Sequence, residues 1–312
     1  MKKYIVRILF FGIVAFISVE TFIRVKHLNI DVPTRQINEE GIQLYNPNQN
    51  GYWSNASHSW QINEEGWPGK LPHSRDSLIT LIGDSHIENF MNPIECNLET
   101  ILNEKKIRYN FFAAGRSGVS LIEALEISDY LKKYKPVKQF IFVKEGDLKE
   151  SIQELGIKED ITQLSLKNKI IINGQLKSPG LKKIVYNIKT LYYYKNSLVG
   201  IRPGSSPKSK LTNSKEKHIL NETDKIYYHQ LLKYVFENYN TSEITFFLHP
   251  ETTKSVEDIF KNNNLNYYKF ITASPKKWRN SPQDESHWSC YGHQQAAIQV
   301  AAFLGEKEVV KK

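Results

Sequence analysis

The sequence predicts an α/β protein: a three-layer α/β/α sandwich on a five-stranded parallel sheet, preceded by an amino-terminal transmembrane helix. Three observations carry that expectation. Apolar β-rich runs alternate with helical periods from Leu78 onward, an uncharged apolar stretch follows two lysines at the start, and 312 residues suffice for one large α/β domain or two small ones. A core of that size can stabilise itself without disulfides or metals. Hydrophobic residues make up 40% and charged residues 24%, with 12 prolines and 16 glycines, a composition that excludes disordered and fibrous classes.

The first element is the membrane signal. Lys2, Lys3 and Arg7 precede Ile8 to Val19, twelve uncharged residues, and the stretch stays largely apolar to Leu28 despite Glu20 and Arg24. Tyr4 to Val25 is long enough to cross ~30 Å of hydrocarbon if Arg7 snorkels and Glu20 lies near the far interface. No small-x-small cleavage site follows Val19, so residues 1–28 are read as an uncleaved single-pass anchor with the remainder outside the cytoplasm, although Arg24 and Lys26 weaken the charge asymmetry. Residues 29–77 are polar and rich in Asn, Gly and Trp. They read as an extended linker packing on the main domain through Tyr52, Trp53, Trp60 and Trp67.

The α/β region occupies residues 78–312. Strands are expected at Leu78 to Ile82, Arg108 to Ala113, Gln139 to Val143, Glu243 to Leu248 and Tyr267 to Ile271. Helices are expected at Ile87 to Glu104, Leu121 to Tyr134, Lys225 to Tyr239, Val256 to Asn263 and His293 to Leu304. Five βα units imply a parallel sheet covered on both faces. Residues 151–218 break this rhythm as an insertion: a hairpin centred on Asn173-Gly174 within Ile170 to Leu176, then one amphipathic helix over Leu181 to Leu198, then a Pro/Gly/Ser/Lys-rich loop over Arg202 to Ser214. The insertion carries thirteen Lys/Arg against four Asp/Glu, a surplus equal to the +9 of the whole chain. Basicity is therefore local, and it suits an anionic partner or a solvated lysine face. No nucleic-acid motif accompanies it, so no nucleic-acid partner is expected.

Two cysteines, Cys96 and Cys290, exclude zinc fingers and disulfide frameworks; a single bridge between them is compatible with the sequence but not required, and Cys290 is read as packing. No metal-ligand spacing and no Gly-rich phosphate loop is present, so neither a metal nor another cofactor is expected.

Two motifs carry chemistry. Gly83-Asp84-Ser85-His86 stands between the first strand and the first helix, at the carboxyl edge of the sheet where a serine is exposed near a helix amino terminus. Gly83 permits a tight turn, and the Ser85 N–H can help hold an oxyanion. Its bland alternative is a capping serine. Near the other end stands Asp284-Glu285-Ser286-His287-Trp288, where three-residue spacing puts Asp284 and His287 on one turn, carboxylate orienting imidazole. His86 reads as a polar cap or a substrate contact, and Trp288 as a stacking surface for a sugar or a shield for the Asp284–His287 pair. His293 reads as packing.

With these residues in hand, residues 78–305 resemble the SGNH, or GDSL, hydrolase family, in particular membrane-anchored bacterial members associated with surface polysaccharides. The first family motif matches at Gly83, Asp84 and Ser85 and the last at Asp284 and His287. The resemblance implies a flavodoxin-like sheet and a catalytic triad of Ser85 as nucleophile, His287 as base and Asp284 as orienting acid. It further implies an oxyanion glycine at Gly118, within Ala114-Gly115-Arg116-Ser117-Gly118. Asn63 to Trp67 looks like the Asn-x-x-Gly-aromatic stretch of such proteins. The third motif departs: Lys144-Glu145-Gly146-Asp147 places Gly146 where the family has an oxyanion asparagine, so Arg116, Lys144 or the Gly146 backbone is expected to substitute. The implied activity is a serine esterase removing O-acyl, often O-acetyl, groups from a carbohydrate. O-acyl transfer to a sugar hydroxyl and non-catalytic polysaccharide binding are the alternatives. The acyl group, polymer and oligomeric state are not encoded in any motif.

Overall fold

The computed structural model describes residues 2–105, 107–198, 220–281 and 284–305. Five strands form one parallel sheet: β1 (Leu78–Gly83), β2 (Asn110–Gly115), β3 (Lys138–Val143), β4 (Ile244–Leu248) and β5 (Tyr267–Lys269), in the order β2-β1-β3-β4-β5. All of β1 is buried, because both faces of the sheet are covered and the run LITLIG needs no polar alternation. Leu78, Ile82, Phe112, Ile141 and Phe246 face one layer, built from α4 (Leu121–Leu131), α8 (Glu222–Asn238) and α9 (Lys254–Asn262). Ile79, Leu81, Phe111, Phe140 and Phe247 face the other, built from α3 (Leu98–Glu104) and α11 (Cys290–Phe303). The expected three-layer sandwich is the observed one. Truncating a core phenylalanine such as Phe140 to Ala would cost roughly 3–5 kcal/mol.

Helix starts follow residues that the sequence spells out. Ser120, Asn221, Thr253 and Ser289 each accept a backbone N–H of the first turn of α4, α8, α9 and α11. One expected helix differs. Ile87 to Glu104 is broken: α2 spans only Ser85–Glu88, Asn89 takes a left-handed conformation (φ 47°), and a 3-10 turn at Ile94–Cys96 leads into α3. Asn89 tolerates that conformation, and the Asn92-Pro93 step disfavours a continuous helix.

The insertion differs in register. Its antiparallel hairpin joins Gln163–Ser165 to Ile170–Ile172, one strand earlier than Asn173-Gly174 implied. Gly174 is instead packed under the preceding chain, where a Cβ would meet the Ile161 carbonyl carbon at 2.7 Å, and its N–H donates to Thr162 Oγ1 at 3.1 Å. The single helix expected over Leu181 to Leu198 is two, α6 (Pro179–Asn187) and α7 (Lys189–Leu198), because Ile188 is extended (φ −91°, ψ 92°). The loop expected over Arg202 to Ser214 lies outside the described residues.

Before the sheet, α1 (Lys2–Val25) is a 24-residue helix long and apolar enough to cross a membrane, and Ile23 is its one buried side chain. Residues 29–77 form two short antiparallel ribbons, Arg35–Ile37 with Gln43–Tyr45 and Asn50–Tyr52 with Ser59–Gln61. Trp60 and Trp67 are buried as expected, whereas Tyr52 is 42% exposed and lies against the His27 ring, and Trp53 stacks on His58. Asn63 Oδ1 accepts the N–H groups of Glu65 and Trp67, an Asx turn that drives Trp67 into the core.

Candidate active site

In a sheet of this order the crevice opens at the carboxyl ends of β1 and β3, where the strand order reverses. Two glycines allow the chain to pass there. A Cβ on Gly83 would meet Ile87 Cγ1 at 2.9 Å, and one on Gly115 would meet the Glu88 backbone nitrogen at 2.5 Å. Without them α2 could not sit on the strand ends.

Asp84 caps α2, and its carboxylate organises the crevice. Oδ1 accepts the His86 N–H at 3.0 Å and lies 2.8 Å from His86 Nδ1, while Oδ2 pairs with Lys144 Nζ at 2.7 Å across the switch point. Burial alone would raise the Asp84 pKa, but Lys144 and His86 hold it well below the usual range. Burial likewise opposes the charge on Lys144, and the Asp84 and Asp147 carboxylates override it and raise its pKa. Asp147 moves upward through burial and the nearby Asp84 charge, and it accepts the Lys144 N–H at 2.9 Å. Ser85 is the first residue of α2, partly exposed beside this pair.

His86 is buried and lines the cleft at this edge. Its Nε2 has no partner among the described residues, and burial lowers its pKa against the opposing pull of Asp84. Around it lie the rings of Trp288 (4.9 Å), His249 (5.3 Å) and His287 (6.2 Å). His249 has no counterpart among the sequence-derived candidates. It follows β4 at the same carboxyl edge, donates its N–H to Val143 O at 2.9 Å, and has a pKa pushed down to about 3 by burial. Its place directly after a buried strand is the signal that could have found it. A shallow, narrow cleft runs between Asp84, His86, Lys144, His249 and Trp288, and a second adjoins it between His249, Glu251, His287 and Trp288.

His287 and Trp288 end the strand Asp284–Trp288, which pairs antiparallel with Arg279–Ser281. The Asp-x-x-His segment is thus extended rather than a single turn, and the Asp284 carboxylate lies outside the described side chains. The strand rests against α2 and is tied to the chain that follows α2. Asn92 Nδ2 donates to Trp288 O at 2.9 Å, and Cys96 and Cys290 form a disulfide with Cα atoms 5.0 Å apart. Cys290 is therefore a cross-link and not mere packing. Trp288 is only 4% exposed and meets Trp278, Phe270 and His293 edge-on. Its indole lines both clefts and stacks on the His249 ring at 5.8 Å. His293 is buried there, as expected of packing.

Gly118, the glycine expected at the oxyanion, lies in the loop after β2. Gly118 sits at φ +82° with nothing within 4 Å of a built Cβ, so backbone conformation alone explains the glycine. Glu88 braces this loop: it accepts the Ser117 N–H at 2.7 Å and binds the hydroxyls of Ser117 and Tyr45. Arg116 departs from its expected role. It is 1% exposed, ion-paired with Glu123, and donates to Ser117 O at 2.9 Å. A guanidinium so engaged supports the loop and cannot reach a substrate. Gly146 is exposed in the first turn of α5 (Glu145–Glu150), where a Cβ would approach only Lys144 Cε at 3.8 Å. Among the described residues no three His, Cys, Asp or Glu side chains gather as a metal-binding group.

No family model matches the sequence, and no curated protein does. Fifteen chains of solved structures match, among them an esterase and a lipolytic protein of the G-D-S-L family. The psychrotrophic esterase EstA from Pseudoalteromonas sp., inhibited by monoethylphosphonate, is 13% identical over 74% of this chain and 100% of its own, with a TM-score of 0.37. A G-D-S-L family lipolytic protein from Desulfitobacterium hafniense DCB-2 is 12% identical over 71% and 98%, with a TM-score of 0.35. TesA is 10% identical over 75% and 99%, with a TM-score of 0.33. These are proteins the chain is similar to.

Proposed function

We propose that the protein is a membrane-anchored serine esterase acting outside the cytoplasm, which removes O-acyl groups, foremost O-acetyl, from a carbohydrate polymer. One observation carries this reading: the strand bearing His287 is fastened across the helix that Ser85 opens, with the His86 and His287 rings 6.2 Å apart at the mouth of the switch-point cleft. In the proposed reaction Ser85 Oγ attacks the ester carbonyl and gives its proton to His287, which Asp284 orients. The Ser85 and Gly118 N–H groups hold the oxyanion. Lys144, on the cleft wall beside Asp84, adds positive potential where the resembled family has an asparagine. Collapse expels the sugar hydroxyl with the proton from His287, and water then releases the acyl group as a carboxylic acid and regenerates Ser85.

The N-terminal helix α1 supports the anchor, and the disulfide supports an oxidising compartment. The basic insertion favours an acidic polymer. The test is hydrolysis of an acetyl ester by wild type, Ser85→Ala and His287→Ala. Each variant should lose on the order of 10³-fold or more in turnover while unfolding at the wild-type temperature. Equal hydrolysis by Ser85→Ala would remove the reading, and acyl-sugar product exceeding free acid would reassign the reaction to transfer.

A further inference from the structure

We propose that the α6–α7 hairpin lies in the interfacial layer of an anionic bilayer, its outer apolar face sunk to headgroup level beside the exit of α1. This rests on the reading of α1 as a membrane span. Glu20 follows Lys3 by 17 residues, about 26 Å of helix rise, and so reaches the far boundary of ~30 Å of hydrocarbon. At that level its carboxylate accepts the N–H groups of Lys189 (3.0 Å) and Thr190 (2.7 Å) and the Thr190 hydroxyl (2.8 Å). Asn29 Nδ2 adds a bond to Lys189 O at 2.7 Å, and Lys189 Nζ pairs with Asp31 at 2.5 Å. The beginning of α7 is thereby fixed where α1 leaves the hydrocarbon.

The face turned away from this joint is apolar. Leu181 and Ile184 on α6 are 63% and 56% exposed, and Leu191 and Tyr194 on α7 are 45% and 64% exposed, each pair at i, i+3 spacing on one side of its helix. The opposite side is occupied, with Tyr192 buried and Tyr186 edge-on to it at 5.2 Å. Residues 179–198 contain four lysines and no acid. Apolar residues and tyrosine flanked by lysines, continuous with a spanning helix, fit the boundary of an anionic lipid surface better than open water.

The test uses the full chain in vesicles of phosphatidylethanolamine and phosphatidylglycerol, with headgroup-proximal or deep nitroxide lipid as quencher. Because the native cysteines are joined, single thiols introduced by Ile184→Cys, Leu191→Cys, Phe11→Cys or Lys261→Cys can each carry an environment-sensitive fluorophore. The shallow quencher should quench positions 184 and 191 about threefold more than position 261, which is exposed on α9, and replacing phosphatidylglycerol by phosphatidylcholine should weaken this. Deep quenching at 11 with 184 and 191 no different from 261 would overturn the proposal while leaving the anchor standing. A blue-shifted but unquenched label at 184 would also overturn it, since protein rather than lipid would then cover the face. An unquenched label at 11 would remove the anchor reading and this inference with it. Unchanged quenching without phosphatidylglycerol would overturn the anionic requirement.

Discussion

The turn that presents Ser85 and the strand that presents His287 are held in opposite ways. The turn is made by neighbours: Asp84 caps its own helix, and Gly83 and Gly115 let that helix sit on two strands of the sheet. Lys144 closes the arrangement one strand away. The strand has no place in the sheet at all. It is a ribbon latched from outside by Asn92 and by a disulfide spanning 194 residues. One partner is positioned by the fold, the other by fasteners added to it.

The largest effect should come from breaking the turn. Lys144→Met leaves the Asp84 carboxylate buried without its cation, and thermal unfolding should show a loss of ~3–5 kcal/mol, with much of it recovered when Asp84→Asn is added. Breaking the latch comes next. Cys96→Ala with Cys290→Ala should cost ~2–4 kcal/mol against denaturant, with a proportionally larger fall in esterase turnover, because the strand is freed before the sheet is. An unchanged turnover would show that the ribbon needs no clasp.

How much of this was legible follows the same division. The sheet strands and most flanking helices were readable because burial on both faces leaves unbroken apolar runs, and the serine turn was readable because it is contiguous. The ribbon was not. Its position depends on Asn92 and Cys96, which lie nearly 200 residues from their partners and carry no local signal. Arg116 was misjudged because a buried ion pair with Glu123, seven residues on, looks from sequence like any exposed cation near a loop. His249 escaped because nothing beside it in sequence marks it, and only the parallel order of β3 and β4 brings it to His86. The hairpin at Asn173-Gly174 slipped because its strong turn signal ignored that Gln163 to Ser165 offered a buried partner strand.

A subtler effect sharpens the picture of the latch from below. Glu99, buried in α3 just after Cys96, has its pKa pushed up to about 7 by burial, against the opposing hydrogen bond from Asn97. An acid whose folded pKa is raised favours folding most below its unfolded value near 4.5, and that contribution is lost as pH rises to about 7. Glu99→Gln should therefore stabilise the protein by ~2 kcal/mol at pH 8 and little at pH 4, measured as the difference in unfolding free energy at the two pH values. The smallest effect on stability is expected at Gly146. Its surroundings admit a side chain, so Gly146→Asn should unfold within about 0.5 kcal/mol of wild type. Its turnover on an acetyl ester should rise, and no rise would mean that Lys144 already meets the need of the oxyanion.

A clasp whose halves are made so far apart in translation closes only once α11 has emerged and both thiols have met an oxidant. On the proposed topology that happens after export. Copies stranded on the ribosome's side of the bilayer would keep the His287 strand unlatched, and the cell's internal esters would be spared a hydrolase that becomes competent only upon arrival.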